Sequence, residues 1–266
     1  MVDTLLRVRS HMVKNLGRFF VVGVYAFLYM PIIILIIFSF NKAPFPSRWT
    51  GFTWQWYHEL ARTTHLWEAV MNSMFIAVCA TVLSLIFSVF FIFFLAQSRR
   101  FERVATFFYV NTVVPEIVFA VGLLGLFSFL GVPLGRVTLV VAHTILGMGY
   151  AIPNLFARLS ELDNRLTEAS YDLGASAIET FRFVTFPLLR SSVIATGLFV
   201  FMISFDDFVL AYFCSGSTTQ TLPLYLLSLM RAEVSPTVNA LSAVLLMFSG
   251  SLVMVFYSYN SRAKLF

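Results

Sequence analysis

Six stretches of this 266-residue chain stay apolar long enough to cross a bilayer. A helical span needs about 20 mostly apolar residues. The runs near Phe19–Phe38, Ala69–Ala96, Val104–Leu130, Val137–Ala157, Leu188–Tyr212 and Val238–Tyr259 all meet that length. Backbone facing lipid must satisfy its polar groups within its own segment, so these runs form helices rather than open strands. Only 12% of the residues are charged, against about 25% in a soluble domain. Charge this sparse cannot cover a water-facing surface, and the bilayer is the main solvent. The expected fold class is an all-α integral membrane protein with six transmembrane helices. A single membrane domain is expected over residues 1–266, with no soluble domain, long repeat or low-complexity tract.

Positive charge sets the orientation. Arg7, Arg9, Lys14 and Arg18 precede the first span, Arg99, Arg100 and Arg103 follow the second, and Arg158, Arg165, Arg182 and Arg190 follow the fourth. Arg262 and Lys264 lie in the tail, whereas the alternate loops hold Lys42, Arg48 and Arg62, then Arg136, then Arg231. The excess falls on one side, which predicts cytoplasmic N- and C-termini. The first apolar run has the charged flank of a signal peptide, but no small-residue cleavage site follows it, so it is expected to remain as a span. Trp49, Trp54, Trp56 and Tyr57 crowd the first outer loop. They suit an interfacial aromatic belt, a short helix on the membrane, or a docking surface.

Several kinds of chemistry are excluded. No G-x-x-x-x-G-K-[ST], HExxH or nucleophile elbow occurs, and GVPLGR at Gly131–Arg136 reads as a turn between spans. His11, His58, His65 and His143 are scattered and receive no metal or catalytic role. Cys79 and Cys214 have no metal or redox spacing and read as packing residues. The net charge of +5 comes without a basic-aromatic surface, so no nucleic-acid partner is expected.

The most polar connection is RLSELDNRLTEASYDLGASAIETFRFVTFPLL, Arg158 to Leu189. Leu166, Ala169, Leu173 and Phe181 give it partial apolar periodicity, which predicts short amphipathic helices. Thr167 is expected to cap one of them, with Glu168 in its first turn. Gly174 marks the turn, and Pro187 suits the opening of the fifth span. A helix–turn–helix on the inner face follows.

Glu168-Ala169-Ser170, then Gly174, then Val184-Thr185-Phe186-Pro187 resembles the EAA loop of binding-protein-dependent ABC importer permeases. That loop reads EAA, three residues, G, nine residues, then I-x-L-P, and the spacing here matches at every anchor. Ser170 stands for the second alanine, Val184 for the isoleucine and Phe186 for the leucine. The resemblance implies that residues 158–187 dock into a cleft on a separate ATPase subunit. Glu168, Ala169, Gly174 and Pro187 would be the coupling residues. It also implies two ATPase subunits that bind ATP and magnesium, a homologous second permease subunit and an extracytoplasmic binding protein. The chain itself would hold no cofactor, catalyse nothing, and sit in a bacterial inner membrane.

Further stretches extend the likeness over nearly the whole chain. YMPIIILIIFSFN, GFTWQWY, PEIVFAVGLL, SFDDFVLAYFCSG and EVSPTVNAL are similar to spermidine/putrescine permease subunits, the second of the two in such a system above all. The chemistry of a polyamine, a flexible di- or trication, asks for acceptor-only groups and aromatic faces. Glu116, Asp206 and Asp207 are the acidic residues within or near spans, and Phe205, Phe208, Tyr212 and Phe213 flank the aspartates. Intramembrane carboxylates cost several kcal/mol, roughly 2.5–3.5 on insertion scales, and read as functional by default. On one continuous helix, adjacent residues point about 100° apart, so both aspartates cannot face one path. Related importers of other cargoes also place an acidic residue before Phe near this point, which makes Asp207 resemble a structural or gating group. Asp206 is then the better cargo contact. Glu116, Phe205 and Tyr212 complete the candidate path. The competing expectations are a permease for another small cargo and a proton- or ion-coupled carrier.

Overall fold

A computed structural model describes residues 2–43, 48–96, 108, 113–232 and 236–263. Arg99, Arg100, Arg103, Lys264, Glu233 and the first residues of the expected third span lie outside them. The described residues are helical almost throughout, with no strand beyond a single bridge between Asn41 and Phe52. In chain order the helices are α1 (Val2–Phe38), α2 (Gln55–Arg62), α3 (Thr64–Ala96), α4 (Glu116–Phe129) and α5 (Arg136–Ser160). Then follow α6 (Asn164–Asp172), α7 (Ala177–Thr180), a π-helical turn at Phe181–Thr185, α8 (Phe186–Phe205), α9 (Val209–Cys214), α10 (Leu222–Ala232) and α11 (Pro236–Ala263).

Among the described residues, five segments are long and apolar enough to cross a membrane: Gly17–Phe38, Thr64–Phe94, Arg136–Ser160, Ala177–Phe205 and Pro236–Val255. They overlap five of the six expected runs, although Ala177–Phe205 begins well before the expected Leu188 and ends before Tyr212. For the remaining run, Val104–Leu130, the described part is α4, whose 14 residues are short for a span. Two features differ from expectation. The run Leu188–Tyr212 is not one helix, because α8 stops at Phe205 and α9 restarts at Val209. The connection after it, expected as loop, contains α10.

The chain clusters into two compact units, Met1–Arg62 with Leu229–Met247, and Thr63–Ser228 with Phe248–Phe266. In the first, the loop after α1 folds around Asn41, which is fully buried. Its Nδ2 donates to the Arg48 carbonyl at 2.7 Å and its Oδ1 accepts the Thr50 N–H at 2.9 Å. The Trp56 indole donates to the Asn41 carbonyl at 2.7 Å. Phe40 packs on Phe52, Trp54 and Tyr57 with ring centroids 5.2, 4.9 and 5.1 Å away. The tryptophan-rich loop is thus a packed knot on a short helix, with Trp49 and Trp54 half-exposed.

In the second unit, α3, α5 and α8 pack on one another. Their contact depends on small residues. The Ser84 hydroxyl donates to the Thr144 carbonyl at 2.9 Å. A Cβ on Gly147 would run into Ser84 and into Val200, which lies on α8. Dense packing of this kind tolerates little added volume. A second cluster joins Ala120, Leu123 and Phe127 of α4 to Leu139, Ala142 and Leu146 of α5 and Leu210, Ala211 and Cys214 of α9. Thr138 ties α5 to α9 by donating to the Cys214 carbonyl at 2.9 Å. Cys214 is buried in this cluster and Cys79 is partly buried, and both are free thiols.

The three-helix contact makes a prediction. Gly147→Val is expected to destabilise the purified chain by about 1–3 kcal/mol, the usual cost of overpacking, read as a lower melting temperature in detergent. Unchanged melting would show that α3, α5 and α8 do not approach as closely as described.

Candidate functional site

The break between α8 and α9 brings the carboxylates together. A helix that starts among apolar segments leaves its first N–H groups without intrahelical partners. Asp207 supplies the acceptors. Its Oδ1 accepts the Val209 and Leu210 N–H groups at 3.1 and 3.4 Å, and its Oδ2 accepts the Ala211 N–H at 3.3 Å. The carboxylate also meets the positive end of the restarted helix. Asp207 is 7% exposed, whereas Asp206 is exposed. The Asp206 N–H still closes α8 on the Met202 carbonyl at 3.1 Å. The directions of the two side chains are therefore set by the break, not by the rotation of one continuous helix.

Three further residues reach this point. Glu116, the first residue of α4 after Pro115, places its carboxyl within hydrogen-bond reach of Asp207. His143 of α5 also faces it, with Nε2 3.4 Å from Asp207 Oδ2. Its Nδ1 is 2.8 Å from the Ser204 hydroxyl, one residue before the end of α8. Of the aromatic candidates, Phe205 is buried, with ring centroids 5.7 Å from Phe201 and 5.3 Å from Phe248. Tyr212 is half-exposed and packs against Phe208 and Phe213. Neither His143 nor Ser204 stood out in the sequence. The available signal was an imidazole inside an apolar run, since ionisable groups at such depth face partners; scatter along the chain concealed a cluster in space.

The 158–187 connection folds as two short helices around a turn. Asp163, rather than Thr167, caps α6, accepting the Arg165 N–H at 3.0 Å. Thr167 and Glu168 consequently lie deeper in the helix than the spacing suggested. Glu168 and Ala169 are exposed, and no residue of α6 is buried. Gly174 has φ +84°, in the left-handed region where a side chain is strained. Ser176 and Glu179 form a capping box at α7, and the Ser170 and Thr180 hydroxyls lie 2.9 Å apart, joining the two helices. Leu173 is 89% exposed and Leu166 48%. Pro187 is the second residue of α8, where its missing N–H costs little.

Known proteins resemble this chain throughout. Residues 88–264 match the family described as binding-protein-dependent transport system inner membrane component. The chain is 37% identical to the spermidine/putrescine transport system permease protein PotC of Haemophilus influenzae, over 89% of this chain and 93% of that one. It is 38% identical to PotC of Escherichia coli K12, over 90% of each. The putrescine transport system permease protein PotI of the same strain is 32% identical over 90% of this chain and 89% of its own. Among solved structures, a bacterial ABC transporter involved in the import of the acidic polysaccharide alginate superposes with a TM-score of 0.72. That likeness covers 96% of both chains at 13% identity, and it concerns the fold alone.

The capping role of Asp207 is directly measurable. Asp207→Ala is expected to cost about 0.5–2 kcal/mol of stability, as for other lost caps, and Asp207→Asn, which keeps one acceptor oxygen, less. Equal melting temperatures for the three chains in detergent would refute the cap.

Proposed function

The chain belongs to the binding-protein-dependent transport system inner membrane component family and is an ABC importer permease subunit; from that premise we propose that its cargo is a polyamine, spermidine, putrescine or both. The observation that carries the proposal is the 37–38% identity to two PotC permeases over nine-tenths of the chain, together with the likeness to PotI. The chemistry agrees with it. An extended cation needs carboxylates to replace its water, and Asp206 and Glu116 are exposed carboxyl groups near the buried Asp207. Tyr212, half-exposed beyond the break, offers an aromatic face to an ammonium group. Sites of this kind must also bind weakly enough to release what they pass.

In this reading the chain forms half of the path and a homologous second permease the other half. An extracytoplasmic polyamine-binding protein delivers cargo to the outer mouth. Two ATPase subunits bind ATP and magnesium and close on the cytoplasmic loop at residues 158–187. Glu168 and Ala169 are exposed there, beside the apolar Leu166 and Leu173. Two uncovered leucines on one face of this short helix and a carboxylate on another suit a socket with apolar walls and a basic rim. Gly174 supplies the turn, and Pro187 passes movement of the loop into α8, which ends at the carboxylates. Both termini are cytoplasmic in this arrangement.

Two measurements test it. The chain reconstituted with its co-purifying partners should take up labelled spermidine only with ATP, and unlabelled putrescine should compete. Uptake that persists with a hydrolysis-defective ATPase would mean an ion-coupled carrier instead. Glu168→Lys should lower uptake about tenfold or more, the scale of disrupting a desolvated charge pair, while the chain stays in the membrane; a wild-type rate would remove the loop from the coupling path.

A further inference from the structure

The imidazole of His143 touches both sides of the helix break. It is 2% exposed, on α5, a helix separate in sequence from the segment it touches. Its Nδ1 meets Ser204 at the end of α8 at 2.8 Å, and its Nε2 faces Asp207, which caps α9, at 3.4 Å. Between those two contacts lies Asp206, which is exposed. The two edges are not equivalent. The Ser204 contact is within ordinary hydrogen-bond length, while the Asp207 contact is beyond it, and Nε2 has no other hydrogen-bond partner. A buried polar nitrogen left this way calls for a reason. Apolar packing alone does not supply one, because a leucine would fill similar space without an unsatisfied edge.

We propose that His143 is a positioning residue for cargo passage: it clamps the end of α8 to the start of α9 and so sets where Asp206 stands. With Ser204 and Asp207 held from one rigid ring, the residues between them have little freedom to swing. Glu116 of α4 also lies within hydrogen-bond reach of Asp207, and two carboxyl groups at that distance hold together only by sharing a proton. The inference rests on the reading that cargo passes the break, and not on which cargo it is.

A cysteine at position 206 reports the position of the break directly. In the assembled transporter carrying Asp206→Cys, labelling by a water-soluble cationic thiol reagent is followed above the background of the chain with Asp206 intact, which contains Cys79 and Cys214. Adding His143→Leu should change the labelling rate about fivefold, the scale of one lost hydrogen bond. His143→Gln, which keeps a polar planar group, should stay within about twofold on the same scale. Ser204→Ala, which unties only the α8 side, should shift the rate in the same direction as His143→Leu and serves if the leucine chain does not assemble. Ile152→Ala, a buried change elsewhere on α5, controls for loss of stability and should leave the rate unaltered. Equal rates for the His143, Ser204 and parent chains would overturn the proposal, as would an equal shift from Ile152→Ala. Wild-type uptake of labelled spermidine, measured in parallel, tests the cargo reading separately; its absence would leave the labelling result standing.

Discussion

The carboxylate of Asp207 meeting the free amides of α9 is the interaction on which the rest of this chain's arrangement depends. A helix interrupted among apolar segments exposes N–H groups that neither lipid nor apolar side chains can satisfy. One side chain takes three of them, from Val209, Leu210 and Ala211. That arrangement stabilises the break, and the break is what allows two neighbouring aspartates to have different surroundings. A continuous helix would have divided the pair by rotation alone. Here one aspartate is part of the backbone's support and the other stands free of it.

This division gives the adjacent residues separate tasks. Asp207 is held by backbone amides and bordered by Glu116 and His143, so it is poorly placed to exchange its partners for a passing cation. Asp206 has no such ties and is exposed. The same segment is joined through α8 to Pro187 and the 158–187 loop, which places the carboxylates and the proposed coupling residues at opposite ends of one helix. A rigid helix of 20 residues carries displacement over about 30 Å at 1.5 Å per residue. Mechanical linkage between the two ends therefore needs no additional element.

Much of this was legible from the residues. Run length and sparse charge sufficed for the helical class, because lipid leaves a chain few ways to satisfy its backbone. The Glu168, Gly174 and Pro187 spacing located the loop, and the left-handed Gly174 is what that spacing required. The break at Phe205–Val209 was not legible, since SFDDFVLAYF is as apolar on either side as any helix and contains no Gly or Pro. The available signal was Asp207 itself, a residue type that accepts the first N–H groups of a helix, and it does so here within four residues of its own position. The cap of α6 went to Asp163 rather than Thr167 because both residues can cap, and only the geometry of the preceding turn chooses between them. His143 was passed over for a related reason, as its partners lie 61 residues away in sequence or more.

The account's central claim is that Asp206 meets the cargo while Asp207 holds the helix. It is tested most directly by spermidine uptake in proteoliposomes containing the assembled transporter, comparing Asp206→Asn with Asp207→Asn per assembled complex. The account predicts a raised half-saturation concentration with intact thermal stability for Asp206→Asn, and lowered stability as the primary effect of Asp207→Asn. Unchanged saturation in Asp206→Asn, with the shift appearing in a stably folded Asp207→Asn instead, would contradict it.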